Sequence, residues 1–274
     1  MTMIEQRQSK ISNVGAAGAE KGRRRSDDLA PLVEKFIPGI LFVIVWWIAV
    51  RVDPNLTFYF STPADVAHFL QQSVADLEFW RNVSSTMQAT FISFFIGSAL
   101  GIVAGISVSL SPRVEAAIEP YASALNSLPR IALAPVFIAF LGLGTSGKVA
   151  VGVSLVFFVL YYNCRAGVKS VDPDWSTLAR TLNFSKRKTF ISLLLPVTWP
   201  SIFSGLRLAF TYSILGVVSS EIVAARAGMG QLIMLYSAQF RMDAVYGTLI
   251  WMGVISGGVY WITGRIEKQI MSWK

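Results

Sequence analysis

The chain has 274 residues, 53% hydrophobic and 15% charged, with 24 Lys and Arg against 16 Asp and Glu. Soluble domains carry about 25% charged residues, so this composition, with its apolar residues gathered in long runs, excludes an ordinary water-soluble globule and indicates a membrane protein. A lone cysteine, Cys164, excludes an intrachain disulfide framework, and a lone histidine, His68, argues against a zinc or histidine-based catalytic centre.

In chain order, residues 1–35 carry Gly, Ala, Ser and charge around Arg23, Arg24 and Arg25. They bury too little apolar surface to fold alone and are expected to form a mobile cytoplasmic tail. The arginine triplet resembles an export signal only superficially. Asp27 and Asp28 follow it, and no A-x-A cleavage site follows the first apolar run. That run, FIPGILFVIVWWIAV from Phe36 to Val50, is the first expected span. The amphipathic stretch from Arg51 to Asn82 is expected at or near the outer surface.

The second span runs from Ser84 to Leu110, with Gly97, Gly101 and Gly105 on one face. Small residues at that interval let helix backbones approach closely, and ordinary bundle contact is the expectation. A short turn with Arg113, Glu115 and Glu119 leads to YASALNSLPRIALAPVFIAFLGLG, which Pro129 and Pro135 interrupt. Proline removes a backbone donor and clashes with the previous turn, so this third span should be broken. With Asn126, Ser127 and Arg130 beside the break, it fits either a water-filled path or a kink buried against neighbours. A fourth span follows from Lys148 to Cys164, a fifth from about Pro196 to Val223, and a sixth from about Val245 to Ile262. The expected fold is all-α and polytopic, with about six transmembrane helices.

Six spans put both termini on one side. Assigning that side to the cytoplasm leaves Arg51, Arg81, Lys148, Arg226 and Arg241 outside. The tail cations, Arg113, Arg165, Lys169, Arg180, Lys186, Arg187, Lys188 and the C-terminal Arg265, Lys268 and Lys274 lie inside. This follows the positive-inside rule and accounts for the net positive charge without a nucleic-acid partner. GLGTSGKV, Gly142 to Val149, approximates a phosphate loop, but Val149 replaces the magnesium-binding hydroxyl, and a turn between spans is the better reading. No catalytic motif appears, so no enzyme activity, no metal and no cofactor is expected.

On the fifth span, at ~100° per residue, Ser201, Ser204, Gly205, Thr211, Tyr212, Gly216 and Ser219 share one face. Phe203, Leu206, Phe210, Ile214 and Val217 occupy the other. The hydroxyl stripe suits the path of a small polar solute, although hydroxyls also bond helix to helix. Glu221 projects away from the stripe, either as a functional intramembrane charge or as an anchor beyond the helix end. Asn126, Ser127, Pro129, Ser204, Thr211, Tyr212, Ser219 and Glu221 are the candidates for a translocation path.

The polar segment from Asp172 to Pro200 separates two strongly apolar runs. Asp172 followed by Pro173 starts a helix. Trp175, Leu178, Ala179 and Leu182 repeat at helical spacing. Asn183 tolerates a left-handed C-terminal cap, and Ser185 can cap a second helix carrying Lys186, Arg187 and Lys188. The resulting apolar knob fits a grip for another protein or a loop lying on lipid headgroups; the residues alone leave these readings even.

The segment resembles the cytoplasmic EAA loop of permease subunits in bacterial ABC importers of type I. Thr177, Leu178 and Ala179 stand at the E-A-A positions, Arg180 at the frequent basic residue, and Asn183 at the glycine. Pro196, Pro200, Gly205, Leu206 and Arg207 match the continuation P-x-x-x-P-x-x-x-x-G-L-R. The stretches SLPRIALAPVFIAFLGLGTSGK and SSEIVAARAGMGQLI are similar to two further motifs of the family. The nearest likeness is to permeases for nitrate, taurine, aliphatic sulfonates and thiamine-precursor pyrimidines. The resemblance implies a multi-pass inner-membrane subunit that forms a homodimer in the lipid bilayer. Two cytoplasmic ATPase subunits would bind ATP and Mg, and an external or periplasmic solute-binding protein would deliver a small polar or anionic solute. It also implies that the loop from about 172 to 190 docks on the ATPase through Asp174, Trp175, Thr177, Leu178, Ala179, Arg180, Asn183, Phe184 and Ser185. Thr177 in place of glutamate puts in doubt any salt bridge the family's residue makes. A single-chain secondary transporter is the alternative, but it calls for an inverted repeat that is not visible; a membrane scaffold would need no polar stripe.

Overall fold

The computed structural model describes residues 30–270, with helices and no strand among them. The expected tail, residues 1–35, has no described side chains, and its first 29 residues lie outside the described residues altogether. The chain divides at Asp65 and Val66 into two units. The first holds helix α1 (Ala30–Val52), which supplies the apolar stretch Phe36–Val52, and the short α2 (Pro54–Phe60). Asp53 caps α2 by accepting the Asn55 amide at 2.9 Å.

The second unit begins within α3 (Pro63–Ala75) and continues with α4 (Leu77–Ser109), α5 (Pro112–Ser127), α6 (Ala134–Leu141) and α7 (Thr145–Lys169). Next come α8 (Pro173–Thr181), α9 (Lys186–Thr189), α10 (Leu195–Val223), α11 (Met229–Ala238) and α12 (Met242–Ile270). Four stretches are long and apolar enough to cross a membrane: Leu77–Ser109, Thr145–Lys169, Arg187–Val223 and Met242–Arg265. The helices α5 and α6 form a broken pair bent by 81° at the 3-10 turn Arg130–Leu133. With α1, these make the expected set of apolar elements. Their helical bounds outrun the expected spans because backbone hydrogen bonding continues past the apolar limit. Thus α4 starts at Leu77, where Asp76 accepts the Glu78 amide at 2.8 Å, and α12 runs on to Ile270.

The centre of this unit is the packing of α4, α7 and α10. A Cβ on Gly97 would stand 2.7 Å from Val156 Cβ, and one on Gly101 or Gly105 would meet the Phe157 or Tyr161 carbonyl at 2.5 or 2.6 Å. Only hydrogen fits there, so the backbones approach closely and gain dispersion along the seam. Val156, Leu160, Cys164, Ile202 and Ala209 bury the space beside it. A second cluster, Phe69, Phe79, Val83, Met229, Leu232 and Ala244, joins α3, α4, α11 and α12. The loop leaving α7 enters α8, so one end of the bundle is a loop end and the Lys148–Glu221 end lies opposite.

Candidate functional site

The segment between α7 and α10 is built by short-range rules. Asp172 accepts the Asp174 amide at 2.9 Å and starts α8 with Pro173 at its first position. Asn183 takes the left-handed conformation, φ 52°, and the Phe184 amide returns to the Ala179 carbonyl at 2.9 Å. That six-to-one bond is a Schellman closure, with Ala179 buried beneath it. Ser185 accepts the Lys188 amide at 3.3 Å to start α9, and Lys188 Nζ lies 4.0 Å from the Phe184 ring centroid. Trp175, Leu178 and Leu182 are left 58%, 47% and 57% exposed. Asp174 and Thr177 are exposed, Thr177 donating to the Pro173 carbonyl at 3.0 Å; the side chain of Arg180 lies outside the described residues.

A π-turn, Phe190–Leu194, joins α9 to α10 just before Pro196. Proline offers no amide to the preceding turn, and the wider π-turn absorbs that loss. The helix–turn–helix therefore runs directly into the apolar stretch Arg187–Val223.

Within α10 the expected stripe divides. Ser204, Thr211 and Tyr212 are exposed and Ser219 is half-buried, with Leu208 and Leu215 exposed among them. Gly205 and Gly216 are instead buried against α7, where a Cβ on Gly216 would stand 2.9 Å from Gly152 Cα. Asn126, Ser127 and Pro129 are exposed at the break between α5 and α6. Arg130 Nη2 donates to Asn126 Oδ1 at 2.7 Å and its guanidinium lies 4.2 Å from the Phe158 ring centroid.

Glu221 is turned away from that exposed face and does not join the other path candidates. It is 1% exposed, and its Oε1 meets Lys148 Nζ at 2.9 Å. Thr86 Oγ1 donates to the same carboxylate at 2.9 Å, as does the Gly230 amide at 3.0 Å. Lys148 also donates to Ser85 Oγ at 3.1 Å and to the Ala227 carbonyl at 2.5 Å. Thr86 accepts the Met229 amide at 2.8 Å, and Asn82 Oδ1 accepts the Gly228 amide at 2.7 Å. Gly228, at φ +126°, leaves room where a Cβ would strike the Glu221 carboxylate. This knot ties α4, α7, α10 and the start of α11. It makes Glu221 an anchor, and Lys148 its counter-charge rather than a phosphate ligand.

A second ionic group lies at the loop end. Arg165, near the end of α7, pairs through both terminal nitrogens with Glu115 and Glu119, one turn apart on α5. Lys169 reaches Glu115 at 2.7 Å. From the sequence, Glu115 and Glu119 read as part of a short turn and Arg165 and Lys169 as separate inside cations; the turn is instead the start of helix α5, which Pro112 opens and which sets both carboxylates on one face. The available signal was the i, i+4 spacing of Glu115 and Glu119 opposite the i, i+4 spacing of Arg165 and Lys169.

Comparison with known proteins agrees with this architecture. Residues 97–271 match the family described as the binding-protein-dependent transport system inner membrane component. The formylaminopyrimidine transport permease protein ThiX of Halalkalibacterium halodurans is 32% identical over 69% of this chain and 77% of its own. The taurine transport system permease protein TauC of Escherichia coli K12 is 23% identical over 86% of this chain and 88% of its own. An inward-facing structure of the MetNI methionine ABC transporter shares the fold, with a TM-score of 0.63 and 16% identity over 70% of this chain and 95% of that one. The chain belongs to the family of inner membrane components of binding-protein-dependent transport systems, the multi-pass permease subunits of ABC importers.

Proposed function

We propose that two copies of this subunit enclose the path of an ABC importer for a small polar or anionic solute, delivered by an external binding protein and driven by two cytoplasmic ATPase subunits. The loop end faces the cytoplasm, together with both termini. TauC, a relative over most of the chain, is named for taurine, which carries a sulfonate, and this favours an anionic or zwitterionic solute.

The observation that carries the coupling role is the α8 knob. An apolar face formed by Trp175, Leu178 and Leu182 is left uncovered on a helix whose ends are locked by Asp172 and Asn183. Such a face fits a cleft in a partner, with Asp174, Thr177, Phe184 and Ser185 around it; Arg180 belongs to the proposed docking set by its place in the sequence. Closure of the ATPase pair on ATP displaces α8, and the α9–π-turn–α10 continuity carries that displacement into α10. The hydroxyls of Ser204, Thr211, Tyr212 and Ser219, with Asn126, Ser127 and Pro129 at the break, line the path that opens.

The test is reconstitution of the assembled transporter in lipid nanodiscs. Leu178→Asp and Trp175→Asp, both at exposed positions, are expected to abolish transport-coupled ATP hydrolysis while thermal unfolding of the membrane subunit stays unchanged. Full coupling in both variants contradicts the role.

A further inference from the structure

Three of the cationic side chains in the apolar bundle, Lys148, Arg165 and Arg130, differ in what faces them. Lys148 faces the Glu221 carboxylate, and Arg165 faces those of Glu115 and Glu119. Among the described residues, no carboxylate lies within ion-pair range of Arg130. Its depth follows from Phe158, over whose ring it sits. At about 1.5 Å per residue, Phe158 lies ~20 Å from one end of α7 and ~16 Å from the other. The guanidinium is therefore held near the middle of a membrane-spanning helix. A charge at that depth is expensive and is kept where it faces a polar cavity or a functional partner.

The geometry also leaves the group poised for a ligand. Nη2 is engaged by Asn126 Oδ1 at 2.7 Å and more loosely by the Leu125 carbonyl at 3.4 Å. The Phe158 ring supports one face of the plane. Nη1 and Nε, on the remaining edges, make no hydrogen bond among the described residues, and the side chain is half-buried rather than sealed. Nη1 and Nε lie on different edges, either side of the Cδ branch, so each can offer one charged N–H to an oxygen of a carboxylate, sulfonate, nitrate or bicarbonate. The turn that carries Arg130 packs against both α7 and α10, whose uncovered face presents Ser204 and Thr211.

We propose that Arg130, set by Asn126 and Phe158, is a charge-selecting station in the translocation path that binds a small oxyanion as its transient counter-ion. This rests on the importer reading above and names the solute class of that path.

The test titrates the assembled transporter in nanodiscs with methanesulfonate and with dimethyl sulfone, its neutral near-isostere. The wild-type chain is expected to favour methanesulfonate by about tenfold or more. Arg130→Gln is expected to erase that preference, whereas Arg130→Lys keeps the charge but not the fork and retains part of it. Asn126→Asp supplies a carboxylate within hydrogen-bond distance of the guanidinium, neutralises it in place, and is expected to erase the preference with Arg130 still present. ATPase co-purification checks assembly of each variant. If Arg130→Gln fails to assemble, Asn126→Asp decides. No preference in the wild type, or a preference unchanged in Arg130→Gln or Asn126→Asp, overturns the proposal. Failure of the wild-type chain to recover an ATPase subunit instead rejects the importer reading, whatever methanesulfonate does.

Discussion

The two ends of the α4–α7–α10 bundle are both closed by ion pairs, and they are built differently. At the Lys148 end the pair is sealed, with side chains 4% and 0% exposed, and every partner is a neighbouring helix or the Gly228 turn. At the loop end the Arg165 guanidinium is itself buried, 7% exposed, but the outer members of its group are open to water: Lys169 is 60% exposed, and Glu119 36%. A sealed pair with hydrogen-bonded neighbours is a fixed point, because opening it strands a charge away from water. The exposed Lys169–Glu115 pair at its rim exchanges with solvent at little cost. The difference places the stationary end away from the loop and the compliant end beside it, where a partner's movement would enter.

The largest expected effect breaks the sealed end. Glu221→Ala strands Lys148 and should cost about 3–5 kcal/mol, measured by chemical unfolding in mixed micelles. The paired change Lys148→Met with Glu221→Leu removes both charges and should recover most of that loss. A single-variant cost below about 1 kcal/mol contradicts the sealed arrangement. Next is the seam itself. Gly101→Val drives a side chain into the Phe157 carbonyl and should cost about 1–3 kcal/mol, read as a lower unfolding midpoint.

Smaller effects belong to the open end. Lys169→Met should cost about 1 kcal/mol or less in folding, with a larger fall in transport per ATP hydrolysed, and the wild-type Lys169–Glu115 pair should weaken near 1 M salt, where screening reaches ~3 Å. Salt sensitivity in the Lys148 pair instead would reverse the comparison. The smallest is Asn183→Gly, which keeps the left-handed turn and should shift stability by no more than about 1 kcal/mol.

That ordering tracks how much was readable from the sequence. The α8 knob was legible because Asp172, Asn183 and Ser185 act on amides within a few residues of themselves. The Gly97–Gly105 seam was legible because its spacing repeats every fourth residue. The sealed knot was not. It joins Thr86 to Glu221 across 135 positions and Lys148 to Glu221 across 73, and no local rule reports such a partner. The α10 stripe was half legible: periodicity groups Gly205 and Gly216 with Ser204 and Thr211, but Gly152 on α7 draws Gly216 into a backbone contact and out of the open face.

Docking of α8 on the ATPase is tested most directly by a photo-crosslinking amino acid at Leu178 in the transporter assembled in its native membrane. An adduct between this chain and the cytoplasmic ATPase subunit is expected, and none from the same probe at Leu143. Adducts from Leu178 with lipid alone, or with the external binding protein, would contradict that docking.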